Sequence, residues 1–330
     1  MPILDSLFPS RRRRKPLSAS TPDATVGPLQ PMVIRTLVIV YEPTMDAATG
    51  TKLSRYMSWN NVKDLALGYM SDILEVSGGL VRYQIVQRID VDDFPAKVDG
   101  FRYDPRSYYN VMKGMMRPYM PQEANYYEII GRFHLLERVA SNEIDEVWLF
   151  GFPHAGFYES IMAGPGTFWC NAPPLRNTDS SGRRFVIMGF SYERGIGEML
   201  ENLGHRVESI MQKTFENLNG ADHLWERFCR YDKLSPGNAA LGNVHFAPNS
   251  VRDYDWGNPA RVVSECDDWL YNFPHFKGIR RTVTTRDWGN GEIRAHHKWW
   301  LKHLPKTTGQ INGISNNWWQ YVMDPNNVAL

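Results

Sequence analysis

The stretch FVIMGFSYERGIGEMLENLGHRVESIM, residues 185–211, passes from a strand pattern into a helix pattern and decides the fold of this chain. Its first six residues are apolar or small and have no helical period, which is typical of a strand buried on both faces. After the polar turn SYERG, apolar side chains recur at helical spacing from Ile196 to Met211. A buried strand followed by an amphipathic helix is the repeating unit of an α/β protein.

The same alternation occurs earlier in the chain. Strand patterns cover residues 33–41, 81–91 and 145–152, and helix patterns cover residues 59–79 and 125–144. The sequence therefore predicts an α/β fold, with a largely parallel sheet flanked by helices.

Composition divides the chain into three parts. Residues 1–31 contain SRRRRKP followed by a Ser/Thr/Pro-rich run, which predicts a disordered basic tail. Residues 32–220 hold the α/β core. In residues 221–330 the periodicity fades and short aromatic phrases appear, so we expect a long, irregular, aromatic-rich elaboration packed on the core within the same domain.

Charge and hydropathy exclude two classes of partner. A net charge of +1 gives no global field toward nucleic acid or an anionic membrane. No apolar run is long enough for a signal peptide or a spanning helix, so we expect no membrane partner, and the composition suits a secreted or a cytoplasmic protein. Three separated cysteines without a CxxC pair make a cysteine-built zinc site unlikely, and their disulfide state stays open.

Polar side chains follow the predicted strands at their carboxyl ends, where ligands collect in open α/β sheets. His154 and Glu159 follow one strand, in the segment LFGFPHAGFYES. Tyr192, Glu193 and Arg194 follow another, in the segment IMGFSYERG. We expect His154, Tyr192 and Arg194 to contact substrate. Ordinary surface turns are the alternative explanation for each single residue.

The predicted helix has a polar face opposite its apolar stripe. Spacings of three and four residues place Glu201, His205 and Glu208 above one another, and carboxylate and imidazole groups are ligands that Zn²⁺ accepts. We expect a zinc site there, with His245 as a distant further ligand. An ordinary amphipathic helix with a solvated back remains the alternative. Gly204 removes a side chain where a neighbouring segment could approach closely.

The segment GEMLENLGHRVE resembles the active-site helix of zincin metallopeptidases, in which a strand precedes a helix that carries HExxH. The resemblance is confined to these few residues. It implies that Glu201 replaces the first ligand, that His205 is the second, and that Asn202 occupies the position of the general base. Because an amide cannot accept a proton from water, Glu159, Glu193 or Glu198 must take that role if the protein is a peptidase.

The expected function is that of a hydrolase, metal-assisted or not, acting on an extracellular or cell-wall polymer of peptide or glycan. Two alternatives remain: a non-catalytic binding protein on a degenerate zincin-like scaffold, and a glycosidase that uses two of the same carboxylates. For a glycan, the sequence offers Trp169, Trp256 and Trp288 as aromatic platforms.

Overall fold

The computed structural model describes residues 28–329, and the first 27 residues of the predicted tail lie outside that range. In chain order the strands are β1 (Met32–Tyr41), β2 (Thr44–Asp46), β3 (Thr51–Lys52), β4 (Val81–Val91), β5 (Glu146–Gly151), β6 (Ser160–Ala163), β7 (Phe185–Ser191), β8 (Val262–Ser264), β9 (Arg281–Val283), β10 (Lys306–Ile311) and β11 (Ile314–Asn317). The helices are α1 (Leu53–Tyr56), α2 (Val62–Val76), α3 (Pro105–Met112), α4 (Tyr126–Arg132), α5 (Leu135–Ala140), α6 (Ile196–Phe215), α7 (Leu224–Phe228), α8 (Cys266–Asn272), α9 (Ile293–Lys302) and α10 (Trp319–Met323).

The main sheet has five strands in the order β4–β1–β5–β7–β6. The first four run parallel, and β6 pairs antiparallel with β7 at the edge. Every residue of β5 is buried, which explains why this strand is apolar after Glu146. The α/β class and the mostly parallel sheet are confirmed.

Helix α6 packs against α2, α9 and α10, and α2 also packs against α9. Helices α9 and α10 belong to the aromatic-rich C-terminal part of the chain, so that part covers the helices of the core. Within it, α9 is a helix of ten residues that the sequence pattern did not predict, because its buried positions include His296 and His297. Among residues 28–329, no helix combines the length and the apolar character needed to cross a bilayer.

The predicted helix over residues 125–144 is two helices, α4 and α5. His134 lies between them with φ of 51°, in the left-handed region that ends a helix. Strand β6 was also missed, because four residues inside a loop rich in Gly and Pro give too short a pattern.

A buried ion pair joins α6 to the centre of the sheet. The Arg206 guanidinium lies 2.5 Å from Glu146 Oε2, and both side chains are almost fully buried. The indole of Trp148 and the hydroxyl of Tyr83 donate hydrogen bonds to the other carboxylate oxygen. The Arg206 guanidinium also donates a hydrogen bond to the carbonyl oxygen of Met323, so the same side chain reaches α10.

Removing one partner of this pair should destabilise the protein strongly. In Arg206→Met, Glu146 stays buried without its cation, and the free energy of unfolding should fall by about 3–5 kcal/mol. Adding Glu146→Gln removes the stranded charge and keeps an oxygen for the Trp148 indole, so the double variant should recover much of the loss.

The measurement is denaturant unfolding followed by circular dichroism, with Arg230→Met as the exposed control, expected within about 0.5 kcal/mol of the parent. If the free energy of unfolding of Arg206→Met fell by less than about 1 kcal/mol, the ion pair would be dispensable for stability.

Candidate functional site

Helix α6 begins directly after β7 and is fixed to it at two points. Glu198 accepts a hydrogen bond from the N–H of Gly195, which caps the helix. The side-chain amide of Asn202 donates to the carbonyl oxygen of Gly189 at 2.7 Å, so Asn202 ties the helix to the strand. In the zincin comparison Asn202 occupies the position of the base; here it has a structural role.

The polar face of α6 is covered by the segment that carries His245. A Cβ atom added to Gly204 would lie only 2.6 Å from Cγ2 of Val244, so glycine is what lets this segment approach. Close approach at Gly204 was predicted from the sequence, and it places His245 beside His205. The His205 side chain is only 16% exposed, although it lies opposite the apolar stripe of the helix.

Three side chains converge on one point. Nε2 of His245 lies 3.1 Å from Nε2 of His205 and 3.2 Å from Oε1 of Glu201, and the remaining distance, from His205 Nε2 to Glu201 Oε1, is 4.0 Å. Ligands of a tetrahedral zinc ion are separated by about 3.4 Å, given metal–ligand bonds of about 2.0–2.2 Å. The donor set and its spacing therefore fit one divalent transition metal ion.

Two further carboxylates contact the Nδ1 atoms of the two histidine rings, on the side away from the convergence point. Glu208 Oε2 lies 3.1 Å from Nδ1 of His205, and Asp253 Oδ1 lies 3.0 Å from Nδ1 of His245. Metal-binding histidines usually have their second nitrogen fixed in this way. Glu208 was predicted as a ligand, but its other oxygen accepts the N–H of Val244, and it acts on the outer side of His205.

The cluster has an excess of negative charge. Its four carboxylates, those of Glu159, Glu201, Glu208 and Asp253, have histidines as their only ion-pair partners within the described part of the chain. Glu201 is 5% exposed. A buried carboxylate without a Lys or Arg partner is costly unless another cation is close.

The pKa values follow from this charge. Burial works to raise the pKa of Glu201, but hydrogen bonds with His245 and Tyr254 help to outweigh it and hold the pKa below its ordinary value. Burial works to lower the pKa of His205, and its neighbours Glu208, Glu159 and Glu201 raise it overall. The hydrogen bond with Glu201 likewise raises the pKa of His245. The site thus attracts positive charge, either as protons or as a metal ion.

Two polar groups face the convergence point without being part of the three-residue set. Oε2 of Glu159 lies 3.7 Å from Nε2 of His205 and accepts a hydrogen bond from the Asn171 amide. The hydroxyl of Tyr254 lies 3.0 Å from Nε2 of His245. Tyr254 has φ of 55°, a backbone conformation that costs energy for an aromatic residue and is common at functional sites.

A cavity of about 330 Å³ lies next to Glu159, at the carboxyl ends of β5 and β7. His154, Arg194 and Glu198 also line it, together with aromatic side chains. Burial and nearby Lys97 lower the pKa of His154, so its ring is neutral at pH 7. The sheet therefore brings together the polar residues of two strand ends.

Two predicted residues at this edge lie elsewhere. Glu193 is outside the cavity lining, and its nearest basic group in the described residues is the guanidinium of Arg194 at 3.9 Å. Tyr192 is fully buried, and its hydroxyl donates to the carbonyl oxygen of Tyr41. Because the Tyr192 side chain belongs to the core, its position does not support the predicted substrate contact.

A second depression, of about 650 Å³, lies on the other side of Glu208 between α6 and α7. Trp169 lines this depression, and 58% of its surface is exposed. The other two tryptophans expected as platforms, Trp256 and Trp288, are buried in the core. There the indole N–H of Trp288 donates a hydrogen bond to the carbonyl oxygen of Trp256.

The C-terminal histidines are packing residues, as their apolar surroundings indicate. Burial lowers the pKa of His297 and of His303 to about 4, so both are neutral. His303 shares a hydrogen bond with the carbonyl of Trp299. The three cysteines are free thiols.

Asp253 and Tyr254 are the site residues that sequence reasoning missed. They lie in the phrase DYDW, eight and nine residues after His245, in a loop that has no period to indicate which side chains turn inward. The only available signal was the proximity of an acidic and a phenolic residue to a candidate ligand.

Comparison of the chain with family models, with curated proteins and with solved structures finds no match in any of the three. The functional argument therefore depends on the geometry of this site.

The close contact at Gly204 can be tested by stability. Alanine in the middle of a helix is favoured over glycine by about 1 kcal/mol, but Gly204→Ala should destabilise the protein by about 1–3 kcal/mol because its methyl group overlaps Val244. In a Val244→Ala background the overlap is relieved, and the same substitution should become neutral or stabilising.

Urea unfolding of the four proteins of this double-mutant cycle measures the effect. Equal effects of Gly204→Ala in both backgrounds would contradict the close approach.

Proposed function

We propose that Glu201, His205 and His245 bind a divalent transition metal ion, with Zn²⁺ the best fit, and that the centre hydrolyses an amide or ester bond in a polymer. The observation that supports this most is the buried Glu201, which faces two imidazole nitrogens and has neither Lys nor Arg as a partner among residues 28–329. One carboxylate and two imidazoles are a common ligand set of catalytic zinc, in which a position is left for water or substrate.

Glu159 is the proposed general base. It lies within one water molecule of the convergence point, and the Asn171 amide orients its carboxylate. When bound, Zn²⁺ supplies a Lewis acid that polarises the carbonyl and lowers the pKa of water. Glu159 takes a proton from the water that attacks the carbonyl carbon, and returns it to the leaving nitrogen or oxygen.

Tyr254 is the proposed donor to the carbonyl oxygen, on which negative charge develops. Burial and the charge of Glu201 raise the pKa of its hydroxyl to about 12, so it keeps its proton at any physiological pH. A fixed donor of this kind contributes most when charge develops in the transition state. The three chemical roles then fall on Glu159, Tyr254 and the metal.

A carboxylate-pair glycosidase is a second candidate, because Glu159 and Glu198 line the same cavity. It differs in a testable way, since such an enzyme keeps its activity after the metal has been removed.

Metal binding should be stoichiometric and should depend on pH. Elemental mass spectrometry of the dialysed protein should find one zinc per chain, lost in His245→Ala and kept in the exposed control His275→Ala. Any proton held at Nε2 of His205 or His245 must leave before the metal binds, so the Kd should fall as the pH rises, by up to about tenfold per pH unit for each proton released.

The linkage fixes the direction for stability as well. In the chelated protein, the raised pKa values of His205 and His245 stabilise the fold below pH 6.5, and this contribution is lost as the pH rises through the folded-state values. The difference in melting temperature between zinc-loaded and chelated protein should therefore widen from about pH 5 to pH 8. A difference independent of pH would argue against histidine ligands.

The catalytic role of Glu159 is tested with Glu159→Gln. The variant should keep its zinc and lose about 10²–10⁴-fold in kcat, because glutamine cannot accept a proton. The assay follows new amino and hydroxyl groups released from purified bacterial cell wall and from a denatured protein, with the exposed Glu137→Gln as control. Zinc binding without turnover on either polymer would favour the binding-protein alternative.

A further inference from the structure

The depression beside Glu208 has the features of a ligand site that the metal cluster does not use. It lies between α6 and α7, and its volume of about 650 Å³ falls within the range of about 300–1,000 Å³ typical of ligand pockets. Glu208 lines it with one face and holds the His205 ring with another. A ligand in this depression would therefore contact Glu208, on the outer side of His205.

Its walls combine an open aromatic face with polar side chains. Trp169 exposes 58% of its surface, whereas most tryptophans of the chain are buried in the core. Gln212 and Arg230 also line the depression, and neither side chain has a hydrogen-bond partner among residues 28–329. The polar lining also includes serine, asparagine and tyrosine side chains and the carboxylates of Glu208 and Glu226.

Main-chain groups near the depression are already engaged. The N–H of Val244 is bonded to Glu208, the N–H of Asn171 to Ser209, and the N–H of Asn243 to the carbonyl of Phe246. Strand addition, one mode of peptide recognition, requires free main-chain groups, and the groups named here are not free. Recognition here must come from side chains and from the aromatic face.

We propose that this depression binds a pyranose ring of a glycan, stacked on the indole of Trp169 and hydrogen-bonded by Gln212 and Arg230. The apolar face of a sugar ring packs on an aromatic ring, while amide and guanidinium groups bond its hydroxyls. As a statement about the substrate, this rests on the proposed function: the hydrolysed bond would belong to a glycan-containing polymer. As a binding site, it is independent of the metal.

The experiment uses the full chain in the presence of a chelator, so that the result does not depend on zinc. Binding of the trisaccharides chitotriose and cellotriose is measured by isothermal titration calorimetry and by saturation-transfer NMR. At least one of them should bind with a Kd of about 1 mM or tighter. Trp169→Ala should weaken that binding about tenfold or more, and Trp169→Tyr should restore most of it.

Tyr271→Ala is the matched control, because Tyr271 is an aromatic residue with 74% exposure outside the depression. It should leave the Kd unchanged. Absence of binding by both trisaccharides, or equal binding by the parent and Trp169→Ala, would overturn the proposal. Failure of the zinc measurement would overturn the metal centre and leave this result standing.

Discussion

The buried pair of Arg206 and Glu146 fixes how helix α6 is rotated against the sheet. A charge inside the core has very few positions where it is compensated, so the guanidinium must point at β5. His205, the preceding residue, is turned by about 100° around the helix axis and therefore points sideways from the direction of the guanidinium, toward Glu159, which directly precedes β6. The same constraint sets Glu201 and Glu208 beside it, one turn before and one turn after. The polar face of α6 is thus positioned by an interaction on another side of the helix.

Two glycines of α6 then allow the C-terminal part of the chain to pack closely over the polar face of this helix. Gly204 lets Val244 and His245 approach, and at Gly197, seven residues earlier, an added Cβ would lie 2.5 Å from Ile293 at the start of α9. Glycines seven residues apart lie on the same side of a helix, and Glu201 lies between them. The aromatic-rich C-terminal part of the chain therefore packs on the two glycines and encloses Glu201 between them. A carboxylate-rich site enclosed in this way concentrates positive charge.

Sequence patterns predicted the parts of this structure that depend on local periodicity. Alternation gave the bounds of β4, and helical spacing placed Glu201 and His205 on one face of α6, because both follow from backbone geometry alone. Glu208, which was predicted as a further ligand, lies at a different position relative to the His205 ring. Being three residues after His205, it reaches Nδ1 of the ring, whereas Glu201, four residues before, faces Nε2. Asp253 and Tyr254 depend on a long-range loop conformation, which no local pattern records.

The separation of His245 from His205 by 40 residues ties the site to the order of folding. Glu201 and His205 both lie on α6, whereas the third candidate ligand atom, Nε2 of His245, belongs to the aromatic-rich C-terminal part of the chain that covers this helix. Without that part of the chain in place, Glu201 and His205 would offer only two of the three ligand atoms. An ion bound by all three groups would cross-link α6 to residues 221–330. It would thereby slow the opening of this C-terminal part to proteases.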